Sequence, residues 1–457
     1  MSRLVDVKSS SRAEKALLVA ADIRNGHRLW NADDSLDELT QLADTAGIQV
    51  EGRIVQKRAQ QDPVTYVGKG KLEQLRQELA FNPDLNLLIF DDELSPGQQR
   101  NIEKTLGDEI KVLDRTALIL DIFAQHAHTR EGQIQVELAQ YEYLQPRLTG
   151  MWRHLVRQAG GRAGGAIGVG LRGPGETQLE TDRRLIRKRI ADLRKELEDV
   201  RGARHHHYRQ RKRKGLRTIA LVGYTNAGKS SLLNALSYPS QFGGNGQSAS
   251  EPPKAYVADQ LFATLDPTTR RVRLPAGTEV LFADTVGFIK KLPHHLIAAF
   301  RATLEGIGEA DLLIHVVDIT HPQVEAQIAA VQSILADLGI ADKPTLQVWN
   351  KIDAVPVWMT RSFLPGALQV SALKATGIGE LLSSVEGVLR KSLVSMDLII
   401  PYAEGALRSK IFSQGSVQWF QEGEEGTRMQ AFVPPELAKT LESYTAGDSR
   451  TGTLSAG

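Results

Sequence analysis

Residues 219–237 read IALVGYTNAGKSSLLNALS: an apolar run, a loop bounded by Gly223 and Gly228, then the start of a helix. A strand that turns through such a loop into a helix offers backbone N–H groups to phosphate oxygens, at a helix end that carries partial positive charge and unpaired donors. Within it, Gly223, Tyr224, Thr225, Asn226, Ala227, Gly228 and Ser231 are expected to line the phosphates. Lys229 is placed to reach the β/γ oxygens and the Ser230 hydroxyl to reach Mg²⁺. Taken alone, the string also fits a plain strand-to-helix turn.

Two later segments narrow the choice. Asp284 ends the apolar run EVLFAD, which sets its carboxylate at the carboxyl end of a strand, facing the metal through water. Thr285, Val286 and Gly287 complete DTVG, and Gly287 would offer its N–H to a γ-phosphate, an approach that leaves no room for a Cβ. In isolation DTVG could be a β-turn. Further on comes NKID: Asn350, Lys351, Ile352 and Asp353. Asp353 can accept from the guanine N1–H and 2-amino group, donors that adenine lacks in that geometry. Asn350 would read the N7/O6 edge and brace the phosphate loop, while the Lys351 stem covers the base. Ser371, Ala372 and Leu373, in QVSALKATG, supply the expected backbone contact to guanine O6. The set predicts a GTP/GDP site assisted by Mg²⁺.

With 457 residues, 41% hydrophobic and 24% charged, the chain is expected to divide into two to four globular domains. Its net charge of +2 averages over local asymmetry. The absence of cysteine excludes disulfides, thiolate metal sites and a cysteine nucleophile. No signal peptide or membrane-length apolar stretch is read, so a soluble, cytoplasmic protein is expected, with any peripheral membrane contact not readable.

Residues 15–128 alternate apolar runs (KALLVAADI, LNLLIF, KVLD) with amphipathic stretches, the pattern of a small parallel α/β domain. Its YVGKGK loop, Tyr66 to Lys71, reads as a turn opening a helix, with a second phosphate site as the lesser alternative. Asp91 and Asp92 read as solvated loop carboxylates, a metal pair being the lesser alternative. QIQVELAQYEYLQPRL then predicts a helix ended or kinked at Pro146. A second helix carries Ile186, Ile190, Leu193, Leu197 and Val200 on one stripe, which suggests an antiparallel hairpin with a packed seam.

Between those helices, TGMWRHLVRQAGGRAGGAIGVGLRGPGETQ holds nine glycines interleaved with Arg153, Arg157, Arg162 and Arg172, and no acid before Glu176. Cationic side chains pair with phosphates and glycines let backbone approach closely, so these arginines and Gly173 are expected to contact RNA; a flexible linker is the alternative. RGARHHHYRQRKRK, Arg201 to Lys214, is a second basic cluster, either a solvated helix end or a nucleic-acid contact. Its adjacent histidines make a weak metal site at best.

Together RGPGETQLETDRR (Arg172 to Arg184), GYTNAGKS, FATLDPTTR (Phe262 to Arg270), DTVGFI, NKID and the tract from Ile119 to Leu148 resemble the HflX-type GTPases. The similarity covers nearly the whole chain. It implies an α/β fold: a small parallel α/β domain over 1–128, a helical hairpin with its Gly/Arg-rich loop and basic linker over 129–214, a P-loop GTPase domain over 215–394, and a small α+β domain with a disordered tail over 395–457. It also implies that Thr264 joins Ser230 on Mg²⁺ and that Phe262, Ala263, Thr264, Leu265 and Asp266 form a switch sensing the γ-phosphate. The implied partner is the large ribosomal subunit and its RNA, bound by a monomer, and the implied activity is splitting stalled ribosomes. Phe288 stands where many regulatory GTPases carry a water-orienting glutamine, which predicts slow intrinsic hydrolysis and no certain catalytic side chain. The stretch YPSQFGGNGQSASEPPKAYVADQ departs from the family as a longer approach to that switch. A GTP-gated RNA-binding module with little turnover and an ATP-driven remodeller using the N-terminal domain remain as alternatives.

Overall fold

The structure is a computed structural model that describes residues 14–23, 31–82, 84–107, 109–148, 178–213, 216–237, 261–262, 268–275, 277–291, 306–356, 367–391 and 393–446. Its first unit runs β1 (Lys15–Ile23), α1 (Ala32–Thr45), β2 (Gln49–Arg58), α2 (Lys69–Phe81), β3 (Leu85–Phe90), α3 (Pro96–Leu106), β4 (Lys111–Asp114) and α4 (Arg115–His126). The four strands form a parallel sheet in the order β2-β1-β3-β4. β1 is apolar over residues 16–21 and β3 over residues 87–90 because helices cover both faces of the sheet. Leu18, Ala20, Leu87 and Ile89 pack with Leu36 and Leu39 of α1 and with α4. On the other face Leu17, Val19, Leu88 and Phe90 meet Leu72 and Leu75 of α2 and Ile102 of α3. The helices start where local chemistry satisfies their first N–H groups: Asn31 with Asp34, and Ser95 with Gln98, each form a capping box, and Asp114 caps α4.

α5 (Arg130–Leu144) ends in a short 3-10 turn over Gln145–Arg147, where Pro146 removes a backbone donor. It packs against α6 (Gln178–Arg213), joining Ile134 and Leu138 to Ile190, Leu193 and Leu197 in one seam. Arg189 pairs with Glu137 at 2.8 Å beside it. The Gly/Arg tract, with Arg153, Arg157, Arg162, Arg172 and Gly173, lies outside the described residues.

The second sheet is built from β5 (Arg217–Gly223), β6 (Thr269–Arg273), β7 (Glu279–Asp284), β8 (Leu312–Asp318), β9 (Thr345–Asn350) and β10 (Leu368–Gln369). Its order is β10-β9-β8-β5-β7-β6, parallel except for β6. α7 (Lys229–Leu236), α8 (Val324–Asp337) and α9 (Ile378–Lys391) cover it. All seven residues of β8 are buried at its centre. In an open parallel sheet, ligands bind outside the carboxyl ends of the strands. Here those ends are Gly223 of β5, Asp284 of β7, Asp318 of β8 and Asn350 of β9.

β11 (Val394–Ile400), α10 (Gly405–Gln414), β12 (Ser416–Gly423), β13 (Gly426–Val433) and α11 (Pro435–Leu441) complete the fold. The antiparallel sheet β11-β13-β12 packs Leu398, Met429 and Ala431 against Ile411 and Leu441 of its helices. Among the described residues no helix is long and apolar enough to cross a membrane.

Candidate functional site

The phosphate loop is shaped by backbone that other residues would not tolerate. Gly228 has φ +87°, and a Cβ there would fall 2.3 Å from Asn350 Nδ2. Gly223, at φ +154°, would place one 2.3 Å from the Val316 carbonyl oxygen. Both are therefore glycine for reasons of space as well as conformation. Asn226 between them also takes a positive φ, +59°.

Lys229 is buried at the first turn of α7 and donates to the carbonyls of Gly223 at 3.2 Å and Tyr224 at 2.7 Å. Burial lowers its pKa to about 8, with Asp284 acting the other way. The Ser230 hydroxyl donates to Asp284 Oδ2 at 2.5 Å. A hydroxyl beside a buried carboxylate is a suitable oxygen donor set for Mg²⁺, which takes one or two protein groups and completes its shell with phosphates and water. Among the described residues no group of three His, Cys, Asp or Glu could hold a metal unaided.

The DTVG segment lies against this loop. Phe288 N–H donates to the Gly223 carbonyl at 3.0 Å and Thr225 N–H to the Phe288 carbonyl at 2.8 Å. The Phe288 ring is buried in an apolar cluster that includes Tyr224, Phe262 and Ile289. Thr285 and Val286 are buried between strand and loop, Thr285 Oγ1 donating to the Leu221 carbonyl at 2.6 Å.

At the base-binding end, Asn350 Nδ2 donates to the Ala227 carbonyl at 2.9 Å, which is the expected brace on the loop. Its Oδ1 accepts the Ala372 N–H at 3.0 Å, so the residue expected to meet guanine O6 is held by the same asparagine. Lys351, at φ +66°, pairs with Asp318 at 2.6 Å. Asp353 Oδ1 accepts from Ser371 Oγ at 2.6 Å, Ile352 lies with it in a 3-10 turn, and Leu373 is 85% exposed. The structure thus brings the GYTNAGKS, DTVG, NKID and QVSAL residues to one end of one sheet. Of the switch residues it places Phe262, which packs edge-on to Phe123 with ring centroids 4.6 Å apart; Ala263, Thr264, Leu265 and Asp266 lie outside the described residues.

Sequence reasoning missed the residues of the first unit that close around this loop. The Tyr224 hydroxyl donates to Glu38 and accepts the Lys290 N–H at 2.8 Å. Burial, then the Glu38 carboxylate, pushes that phenol well above its usual pKa. Arg115, 1% exposed, donates to Glu38 and to Asp91, each at 2.8 Å, and reaches the Lys290 carbonyl at 3.3 Å. Lys291 pairs with Asp91 and Asp92. The expectation that Asp91 is a solvated loop carboxylate is therefore corrected: it is 2% exposed. Burial alone would raise its pKa, but Arg115 and Lys291 outweigh it and hold the group at about 2. The YVGKGK loop is also tied down. The Tyr66 hydroxyl donates to Asp92 at 2.7 Å, Gly68 N–H donates to Gln56 at 2.8 Å, and the helix opens at Lys69.

Comparison with known proteins finds three family models along the chain. Residues 33–124 match a GTP-binding GTPase N-terminal model, 126–211 a GTP-binding GTPase middle-region model and 218–351 a 50S ribosome-binding GTPase model. The chain is similar to the GTPase HflX of Lacrimispora saccharolytica, 42% identical over 96% of this chain and 98% of that one. It is also similar to the GTPase HflX of Escherichia coli K12, 40% identical over 85% and 87%. Among solved structures, the chain is similar to a GTP-binding protein from Sulfolobus solfataricus in complex with GDP, which covers 82% of this chain and 98% of its own at 23% identity with a TM-score of 0.39. With relatives this similar over nearly their full length, the chain belongs to the HflX family of GTPases.

Proposed function

We propose that this GTPase binds Mg²⁺·GTP at the carboxyl ends of β5, β7 and β9, and that it uses the nucleotide to control binding to the large ribosomal subunit, splitting stalled ribosomes. The observation that carries the nucleotide reading is the convergence of Lys229, Ser230, Asp284 and Gly287 at one loop, with Asp353 and Asn350 across it. In this reading Lys229 leaves the carbonyls of Gly223 and Tyr224 for the phosphate oxygens. Ser230 and Thr264 would hold Mg²⁺, with Asp284 meeting it through water, and the ion would supply charge neutralisation to the phosphates. Asp353 gives up the Ser371 hydroxyl to accept the two guanine donors.

The ribosomal reading is supported by the match of residues 218–351 to a 50S ribosome-binding GTPase model and by the arginines of the Gly/Arg tract, Arg153, Arg157, Arg162 and Arg172. Because Phe288 is buried and cannot orient water, intrinsic turnover is slow and the subunit completes the site. The test is GTP hydrolysis with and without purified large subunits. Stimulation of at least tenfold is expected. Unchanged turnover despite GTP-dependent co-sedimentation would instead favour a GTP-gated RNA-binding module, which the buried Phe288 makes the natural second reading. Asp353→Asn tests the base: GTP affinity should drop about 100-fold or more, and xanthosine triphosphate, with a carbonyl where guanine has its amino group, should bind better than GTP.

A further inference from the structure

β12, SVQWFQEG, is an edge of the antiparallel sheet, paired with β13 on one side and, among the described residues, with no strand on the other. Natural sheets blunt such an edge with lysine or proline, because a row of unpaired N–H and C=O groups invites another strand. β12 carries neither, and from Gln418 to Gly423 every residue is exposed. It presents large rings instead. Trp419 is 43% exposed and Phe420 55%, and Phe412 of α10 meets Phe420 edge-on with ring centroids 5.6 Å apart. Phe420 lies opposite Met429, which is buried with Ile411 of α10, while Trp419 lies opposite Gln430 and donates to it at 3.1 Å. Consecutive strand residues point to opposite faces, so a ring stands beside the open edge on each. Beyond the rings, the strand runs into a turn with Glu422, Glu424 and Glu425 exposed, and neither strand nor turn holds a lysine or arginine. Arg408 of α10 meets Glu422 at 3.1 Å. Carboxylates at that end repel nucleic-acid phosphates, and a second copy of β12 would bring no cation to them. An extended protein segment with lysine or arginine beside apolar residues satisfies the edge, the rings and the carboxylates together.

We propose that β12 is a docking edge for a basic, extended protein segment of the large ribosomal subunit, which adds itself as a further strand beside Trp419 and Phe420. The inference rests on the ribosomal reading above, and co-sedimentation of the parent chain reports on that reading separately.

The test uses the full chain and purified large subunits, with Mg²⁺ and the imido analogue of GTP. Phe420→Lys should weaken co-sedimentation about tenfold, and Phe420→Tyr should stay within about twofold of the parent. Glu424→Lys combined with Glu425→Lys should weaken it too, by a factor that shrinks as salt is raised. GTP hydrolysis without subunits should be the same in each variant as in the parent. An edge that met RNA would bind tighter after either charge change. That sign, or unchanged binding in every variant while the parent co-sediments, overturns the proposal. So does a dimer in sedimentation velocity that Phe420→Lys dissolves, since the edge would then serve a second copy. A parent that does not co-sediment overturns the ribosomal reading and this proposal with it. Should Phe420→Lys fail to fold, the exposed glutamate pair decides alone, by the same signs.

Discussion

His315 shows how a single side chain records its surroundings. It sits in the middle of β8, buried on both faces, and burial, followed by the nearby Lys229 cation, lowers its pKa to about 4. Unfolded, it would titrate near 6.5. Between those values the unfolded chain binds more protons than the folded one, so stability falls as pH drops from about 6.5 to about 4, by roughly 3 kcal/mol in full. Urea unfolding at pH 7 and pH 5 should show that slope, and His315→Phe, which cannot titrate, should flatten it. No sequence signal separates this histidine from any other in a hydrophobic run. Lys229, Ser230, Asp284 and Asp353 were legible because their chemistry comes with fixed local spacing and fixed flanking elements.

At the level of elements, the strands and helices around both α/β sheets follow from apolar runs, with α1, α3, α4 and α5 opened by a side-chain cap. The first turn of α4 does not. Arg115 follows the strand KVLD as an ordinary charged residue would, yet it is enclosed by Ser35 and Glu38 of α1 and Asp91 beyond β3. Removing this fully buried cation strips Glu38 of its cationic partner and leaves Asp91 with Lys291 alone, a loss of roughly 3–5 kcal/mol. Arg115→Ala should therefore lower the urea midpoint sharply, whereas Arg76→Ala, whose exposed pair with Glu73 contributes little, should leave it nearly unchanged. Equal effects would show that the buried triad contributes no more than a surface pair. What hid the triad from the sequence is separation: Arg115 and Glu38 lie 77 positions apart, and pairing at that range has no period.

Over the whole molecule, the first unit and the nucleotide-binding sheet share one apolar cluster, running from Leu118 and Phe123 to Phe262, Phe288 and Ile289. Polar links cross with it: Tyr224 to Glu38 over 186 positions, Lys291 to Asp91 over 200. Lys291→Ala removes the one of these that is still 24% exposed, and amide exchange should rise in residues 286–291 and in α1 while β8 stays protected. Uniform change, or none, would mean that the apolar cluster alone holds the two units. The fold class was readable from the sequence because each unit carries its own pattern. The joint was not, because it is made of single residues that each unit lends to the other.

α6 runs unbroken for 36 residues, about 54 Å at 1.5 Å per residue, and β5 begins at Arg217, close behind its last residue. Mechanically it is a long arm whose near end meets β5 at the strand's first residue, roughly 20 Å from the phosphate loop at the strand's other end. A tilt of about 10° at that end carries the far end through roughly 9 Å. Any small rotation at the start of β5 would thus be enlarged several-fold at the helix's far end.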